Sequence, residues 1–259
     1  MQKKITGTVI SNEKIAKDTM EMVLHVPDFE EALFVPGSFA HIKIPGANEL
    51  LLRRPISIHY YDFAKKELHF AYLVVGKGTK LLSEAMPGQQ LDLLAPLGNG
   101  FCLNPEQKKV WLVGGGIGIA PLLSLKNVYE DREFTAFLGY KSREYLYKQE
   151  AFAEFCREVH LCTDDGSAGE KGFVTQLVAE QMKGKVPDVI LACGPMPMLY
   201  ALKEAVAGQP VKVLASLEEH MGCGVGGCAV CTCKIGKEDE YDYKKVCLDG
   251  PVFDLKEVL

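Results

Sequence analysis

The order of apolar and polar residues changes character near residue 105. Before that point the chain reads as β-rich. Met20–Val26 has strand-like stretches, and Ser38–Ile44 alternates apolar and polar side chains with a period of two. Pro36-Gly37 and Pro45-Gly46 flank the second of these as turns. Arg54–Tyr61 and Glu67–Val75 predict a hairpin, and a short helix is predicted over Thr79–Ala85, ended by Pro87-Gly88. Several short strands with regular turn signals point to a small antiparallel barrel over residues 1–102.

From residue 103 to 216 strands and helices alternate. Val110–Val113 is a short apolar run, as in a strand covered on both faces. Helix is predicted over Pro121–Asp131, strand over Phe134–Gly139, helix over Lys148–Glu158 and strand over Val159–Cys162. Phe173–Gln181 reads as helix, Asp188–Cys193 as strand, Met196–Ala207 as helix and Lys212–Ala215 as strand. That alternation predicts a doubly wound parallel sheet. Residues 217–259 break the pattern: glycine, cysteine and the charged run Lys237-Glu238-Asp239-Glu240 leave little apolar material for a separate core. A bound metal centre is the staple so small a unit needs.

Composition narrows the class without fixing the chemistry. The 259 residues are 47% hydrophobic and 24% charged, with a net charge of -5. A mildly acidic chain lacks the basic surface that nucleic acid requires. There is no apolar run of about 18 residues to span a membrane and no signal-peptide core after Met1. Nine cysteines, five of them between residues 223 and 247, favour metal binding in a reducing cytoplasm over a disulfide scaffold.

The cysteines give the sharpest signal. Cys223, Cys228, Cys231 and Cys247 have the spacing C-x4-C-x2-C…C, the pattern of a plant-type 2Fe–2S cluster. Intervening glycines permit the tight left-handed backbone that wraps such a cluster and leave N–H groups facing sulfur. Four thiolates also suit tetrahedral zinc, although zinc sites usually pair two close-spaced knuckles and here three ligands share one loop. Cys233 falls outside the spacing, either as a spare buried thiol or as a replacement ligand. A second signal is Gly114-Gly115-Gly116-Ile117-Gly118-Ile119-Ala120-Pro121, between a predicted strand and a predicted helix, where a glycine turn holds phosphate on a helix N-terminus. The pattern is G-x-G-x-G, and the next strand ends in Tyr140-Lys141-Ser142-Arg143 without the acid that reads a ribose, so a plain tight turn stays open. Cys193-Gly194-Pro195 lies at another strand-to-helix junction, where Cys193 is either a nicotinamide contact or a small core residue. Arg53-Arg54-Pro55-Ile56-Ser57 and Gly76-Lys77-Gly78-Thr79 together offer a diphosphate site and a hydrogen-bonding strand for a flat ring.

These motifs, in this order, resemble the ferredoxin-NADP reductase superfamily, and most closely its branch of dihydroorotate dehydrogenase B electron transfer subunits. The likeness runs over essentially the whole chain. It implies an FAD-binding barrel, an NAD-binding α/β domain and a C-terminal 2Fe–2S module. Arg54-Pro55-Ile56-Ser57 matches the R-P-x-S flavin motif, with Arg54 toward the diphosphate and Ser57 toward the isoalloxazine. Tyr72 and Leu73 match the next flavin-contacting strand, Leu73 standing where relatives often have arginine. Gly78-Thr79 matches the phosphate-binding helix start. Gly114, Gly116, Gly118 and Pro121, with Cys193, Gly194 and Pro195, match the nicotinamide half, and Cys223, Cys228, Cys231 and Cys247 the cluster ligands. The resemblance further implies an oxidoreductase of pyrimidine biosynthesis, paired with an FMN-containing catalytic subunit in a heterotetramer of two of each. It favours NADH over NADPH and gives no side chain a general acid or base role. Two rivals stand beside it: a lone NAD(P)H-dependent reductase serving a ferredoxin or an oxygenase, and a redox-sensing protein without enzymatic activity.

Overall fold

A computed structural model describes residues 3–45, 50–126, 128–237 and 239–259. Gly46 of the second predicted turn, Asn127 of a predicted helix and Glu238 of the charged run lie outside the described residues. The first sheet is built from β1 (Lys3–Ala16), β2 (Thr19–His25), β3 (Phe39–Ile42), β4 (Arg54–Ser57), β5 (Tyr60–Asp62), β6 (Glu67–Leu73) and, after helix α1 (Lys77–Ser83), β7 (Gln90–Leu97). Its order is β4-β3-β7-β1-β2-β6-β5, with antiparallel neighbours. The predicted hairpin is therefore replaced by a closure. Arg54–Ser57 pairs with β3, and only Tyr60–Asp62 pairs with β6. Two residues link these opposite edges: Ile58 N donates to Ser38 O on one side, and His59 N to His69 O on the other. The chain crosses from one end of the sheet to the other here, while β4 and β5 each keep a single strand partner. Met22, Leu24, Leu68, Phe70, Leu91 and Leu93 fill the interior.

β3 departs from the half-exposed strand that its period of two predicts. All four of its residues are buried, His41 included, because one face lines the barrel and the other is covered.

The second sheet carries β8 (Lys109–Gly115), α2 (Ile119–Leu123), β9 (Glu133–Tyr140), α3 (Gln149–Ala153), β10 (Cys156–Thr163), β11 (Glu170–Lys171), α4 (Val174–Met182), β12 (Val189–Cys193), α5 (Met196–Ala205) and β13 (Lys212–Ser216). The hairpin β14 (Thr232–Lys237) and β15 (Glu240–Lys245) follows, then β16 (Val252–Asp254). The order is β11-β10-β9-β8-β12-β13-β16, parallel except for β16. Val110 and Leu112 pack with Ile119, Leu122 and Phe152, while Trp111 and Val113 pack with Val178, Leu199 and Leu202 on the opposite face. That two-sided burial explains the unbroken apolar run.

Two helices are shorter than predicted. α2 stops at Leu123 and gives way to i→i+3 bonds from Ser124, Leu125 and Lys126. There Ser124 Oγ donates to Pro121 O and accepts from Gly37 N, competing with continued α-helix. α3 stops at Ala153, and Cys156–Glu158 join β10, since pairing with β9 overrides the helix propensity of Arg157 and Glu158. The C-terminal residues make no core of their own. Met221, Ile235, Val246, Phe253, Leu255 and Val258 join the α4–α5 side of the parallel sheet.

Candidate functional site

One cleft of about 480 Å³ lies where the two sheets and the C-terminal segment meet. Arg54, Pro55, Ile56 and Ser57 of β4, Tyr72 and Leu73 of β6, and Thr79 of α1 form one wall. Ile117, Ala120 and Ser216 close it from the parallel sheet, and Glu218–Met221, Val246 and Pro251 from the C-terminal segment. This volume is in the range of cofactor pockets. A Cβ on Gly78 would stand 2.6 Å from Arg54 Nε, so the guanidinium lies directly over the start of α1. Arg54 Nη1 donates to Leu52 O. The Thr79 hydroxyl is used locally, accepting from Val75 N and Gly76 N. Tyr72 is buried, and its hydroxyl donates to Asn12 Oδ1 at 2.9 Å, which leaves the edge of its strand to face the cleft. Asn12 Nδ2 in turn donates to the carbonyls of Leu82 and Ala85 at the end of α1. Asn12 thus ties β1, β6 and α1 together, and no pattern in the sequence announced it.

The glycine turn and the Cys193-Gly194-Pro195 junction stand side by side, because β8 and β12 are neighbours with Gly114 opposite Cys193. β9 and β10 lie on one side of β8, and β12 and β13 on the other, so this is the point where strand order reverses and ligands gather. Each glycine has its own reason. A Cβ on Gly114 would meet Ile119 Cγ1 at 2.6 Å, Gly116 has φ +56°, and a Cβ on Gly118 would meet Cys193 O at 2.4 Å. Pro121 is buried in the first turns of α2. The buried Tyr147 hydroxyl donates to the carbonyls of Gly116 and Ile117, holding the turn from behind. Cys193 itself is buried behind this turn, and burial pushes its thiol well above the ordinary range. Pro195 precedes α5 as its N-cap, and Gly194 approaches Gly115 N so closely that a Cβ would stand 3.2 Å away.

The four spacing-matched cysteines fall into two pairs. Cys223 N donates to Cys228 Sγ and Cys228 N to Cys223 Sγ, while Cys247 N donates to Cys231 Sγ. Val225 N and Gly227 N also point at Cys223 Sγ, and Gly226 N at Cys247 Sγ. Gly224 and Gly226 take positive φ to aim these amides. Burial raises the Cys223 thiol, but the amides of Val225, Cys228 and Gly227 outweigh it and bring the thiol down to about 7. Among the described residues no three His, Cys, Asp or Glu side chains converge on one point as a single metal ion requires. Two thiol pairs fit a two-iron core, in which each iron takes two outside ligands. Cys233 belongs to neither pair. It sits on β14, its Sγ 3.6 Å from Lys244 O, and burial raises its thiol to about 11.

The barrel and the parallel sheet are joined by a charge cluster that the sequence does not signal. Glu21 Oε1 lies 2.8 Å from Lys148 Nζ, 3.7 Å from His69 Nδ1 and 3.8 Å from His59 Nε2, and His59 Nδ1 lies 3.1 Å from Ala120 O. Burial would raise Glu21, but the neighbouring His69 and Lys148 hold it down at about 2. Burial lowers His59 to about 4, against the pull of Glu21. Both groups are depressed, so each contributes stability that is full above its unfolded pKa and lost on acidification. The window runs from about 6.5 to 4 for His59 and from about 4.5 to 2 for Glu21. Between pH 7 and 5 the His59 contribution should fall by about 2 kcal/mol. Urea midpoints should show that loss, and His59→Gln should flatten it; an equal loss in both proteins would assign it elsewhere.

Residues 218–259 match the family described as the iron-sulfur cluster binding domain of dihydroorotate dehydrogenase B, and residues 112–204 the oxidoreductase NAD-binding domain. The dihydroorotate dehydrogenase B (NAD(+)) electron transfer subunit of Geobacillus sp. (strain WCH70) is 43% identical, with all of both chains covered. That of Caldanaerobacter subterraneus subsp. tengcongensis is 40% identical, again over both full lengths. Among solved structures, an NADH-dependent reduced ferredoxin-NADP oxidoreductase studied for flavin-based electron bifurcation superposes with a TM-score of 0.86 at 29% identity, covering 98% of this chain and 89% of that one. Phthalate dioxygenase reductase shares the fold, with a TM-score of 0.69 at 18% identity over 94% of each chain. Among the described residues no helix is long and apolar enough to cross a membrane. With relatives of 40% identity and above along its whole length, the chain belongs to the dihydroorotate dehydrogenase B (NAD(+)) electron transfer subunits.

Proposed function

We propose that this chain passes electrons between a dihydroorotate dehydrogenase catalytic subunit and NAD+, through a 2Fe–2S cluster and FAD, in pyrimidine (UMP) biosynthesis. The observation that carries the reading is the shared cleft: its walls come from the R-P-I-S strand, the glycine turn and the residues flanking the cysteines, with Met221 two residues before Cys223 and Val246 next to Cys247. A bound flavin exchanges electron pairs with a nicotinamide and single electrons with an iron–sulfur cluster, which is why it belongs between them. Arg54 supplies positive charge for the diphosphate above Gly78 and Thr79, and Pro55, Ile56, Ser57, Tyr72 and Leu73 form the wall for the flat ring. Gly114, Gly116, Gly118 and Pro121 shape the nucleotide crevice beside Cys193, Gly194 and Pro195. Cys223 with Cys228, and Cys231 with Cys247, hold the cluster. Functionally the chain divides into residues 1–102 for FAD, 103–216 for NAD and 217–259 for the cluster.

Dihydroorotate oxidation releases electrons, so flow runs from the partner inward to NAD+. The partner is an FMN-containing catalytic subunit, in a heterotetramer with two of each chain, in the cytoplasm. Val225, Val230 and Leu248, exposed beside the cysteines, offer it apolar surface. Anaerobic titration of the pure protein with NADH is expected to bleach a flavin and to raise the EPR signal of a reduced binuclear cluster. A colourless, zinc-loaded protein would overturn the reading.

A further inference from the structure

A single imidazole stands between the barrel and the cysteine loop. His41 lies on β3 directly opposite Pro55 of β4, so its strand partner is the R-P-I-S segment itself. It is fully buried, and neither ring nitrogen has a hydrogen-bond partner. The backbones of Arg53 and Cys223 lie near enough to act on the ring without closing a well-formed hydrogen bond to it. Gly224, between Cys223 and Val225, has φ +72°, and a Cβ there would stand 2.5 Å from His41 Nδ1. The ring is therefore packed against the loop at its least substituted residue.

Burying an imidazole without well-formed partners is unfavourable. Phenylalanine or leucine would fill the same space without that penalty. A polar ring in this position has a use that an apolar one lacks: it offers a directional nitrogen between a rigid strand and a glycine-rich loop. Apart from its own N–H to sulfur bonds and the Lys245 Nζ bond to Gly226 O, the backbone of that loop is loosened by Gly222, Gly224, Gly226 and Gly227.

We propose that His41 is a positioning residue that docks the Cys223–Cys228 loop onto the flavin-side strand and so fixes the surroundings of the Cys223 sulfur. The proposal rests on the reading that this loop holds a 2Fe–2S cluster. His41 acts through the backbone of Gly224 and Cys223.

The test compares His41→Phe, which keeps a ring, with His41→Gln, which keeps a polar donor. In His41→Phe, amide hydrogen exchange over residues 222–228 should quicken at least tenfold, in both the iron-loaded and the iron-free protein. The EPR line shape and midpoint potential of the reduced cluster should move, while NADH bleaches the flavin at the unaltered rate. His41→Gln should recover exchange and spectrum together. Unchanged exchange and EPR in His41→Phe would overturn the proposal, as would a His41→Gln protein indistinguishable from His41→Phe. A wild-type protein that never takes up iron would instead sink the cluster reading, and exchange in the iron-free chain would still judge the docking role.

Discussion

Serine at Cys228 or at Cys247 is expected to strip the iron from the purified chain, and only the second is expected to weaken the fold as well. Cluster ligands are thiolates, and a serine hydroxyl does not ionise at neutral pH. The cysteines act in pairs, so losing either partner leaves one iron half-ligated. The two positions differ in their surroundings. Cys228 is exposed, where substitutions change stability by no more than about 0.5 kcal/mol. Cys247 is buried among the apolar residues that include Val246 and Phe253. An oxygen there keeps the Gly226 N–H as a donor but is otherwise held out of water among apolar side chains, at a cost of about 1 kcal/mol. Iron and acid-labile sulfide per chain should collapse in both variants. Urea midpoints of the iron-free proteins should fall for Cys247→Ser alone. Cys228→Ser should keep its flavin, and NADH should still bleach it. Wild-type iron in Cys228→Ser would break the ligand assignment.

The parts of this molecule that the sequence announced are those governed by local chemistry. The spacing of the first three cysteines, the glycine turn and the apolar run of β8 are each set within a dozen residues, and the structure brings them to one region. What depends on distant partners was not announced. β1 and β7 carry a weak signal although Ile5, Gly7 and Val9, like Leu91, Leu93, Ala95 and Leu97, alternate inward; polar neighbours, Leu94 and Pro96 blur the period. The break at Ile58–His59 looks like continuous strand in sequence and becomes a closure only when both sheet edges are present. His41 reads as the polar member of an alternating strand, and its burial comes from a loop almost 200 residues later. Glu21, His59 and Lys148 are far apart in sequence, and only the packing of the two sheets against each other makes them one group.

Gly118→Ala is expected to lower NADH oxidation by about 100-fold while leaving flavin and cluster content unchanged. Two effects oppose each other at this residue. Gly118, the N-cap of α2, has φ −62° and ψ −10°, which alanine adopts without strain, so alanine there should gain about 0.4–1 kcal/mol by restricting the unfolded chain. The added Cβ, however, would stand 2.4 Å from Cys193 O and 2.6 Å from Gly194 Cα. Both are backbone atoms at the end of β12 and have no rotamer to escape into. Overpacking of this kind is unfavourable by about 1–3 kcal/mol or more, so contact outweighs the entropic gain. Relief requires the turn after β8 to move away from β12, which changes the crevice where the nicotinamide half lies. Displacement of about 1 Å at a reacting centre is enough for the hundredfold loss. Gly116→Ala is the control. Gly116 has φ +56° and nothing within 4 Å of an added Cβ, so that substitution strains the backbone by about 1–2 kcal/mol without a collision. Single-turnover flavin reduction by NADH should therefore fall much further in Gly118→Ala than in Gly116→Ala. The reverse order would mean that left-handed conformation, and not the approach to Cys193, is what the turn requires.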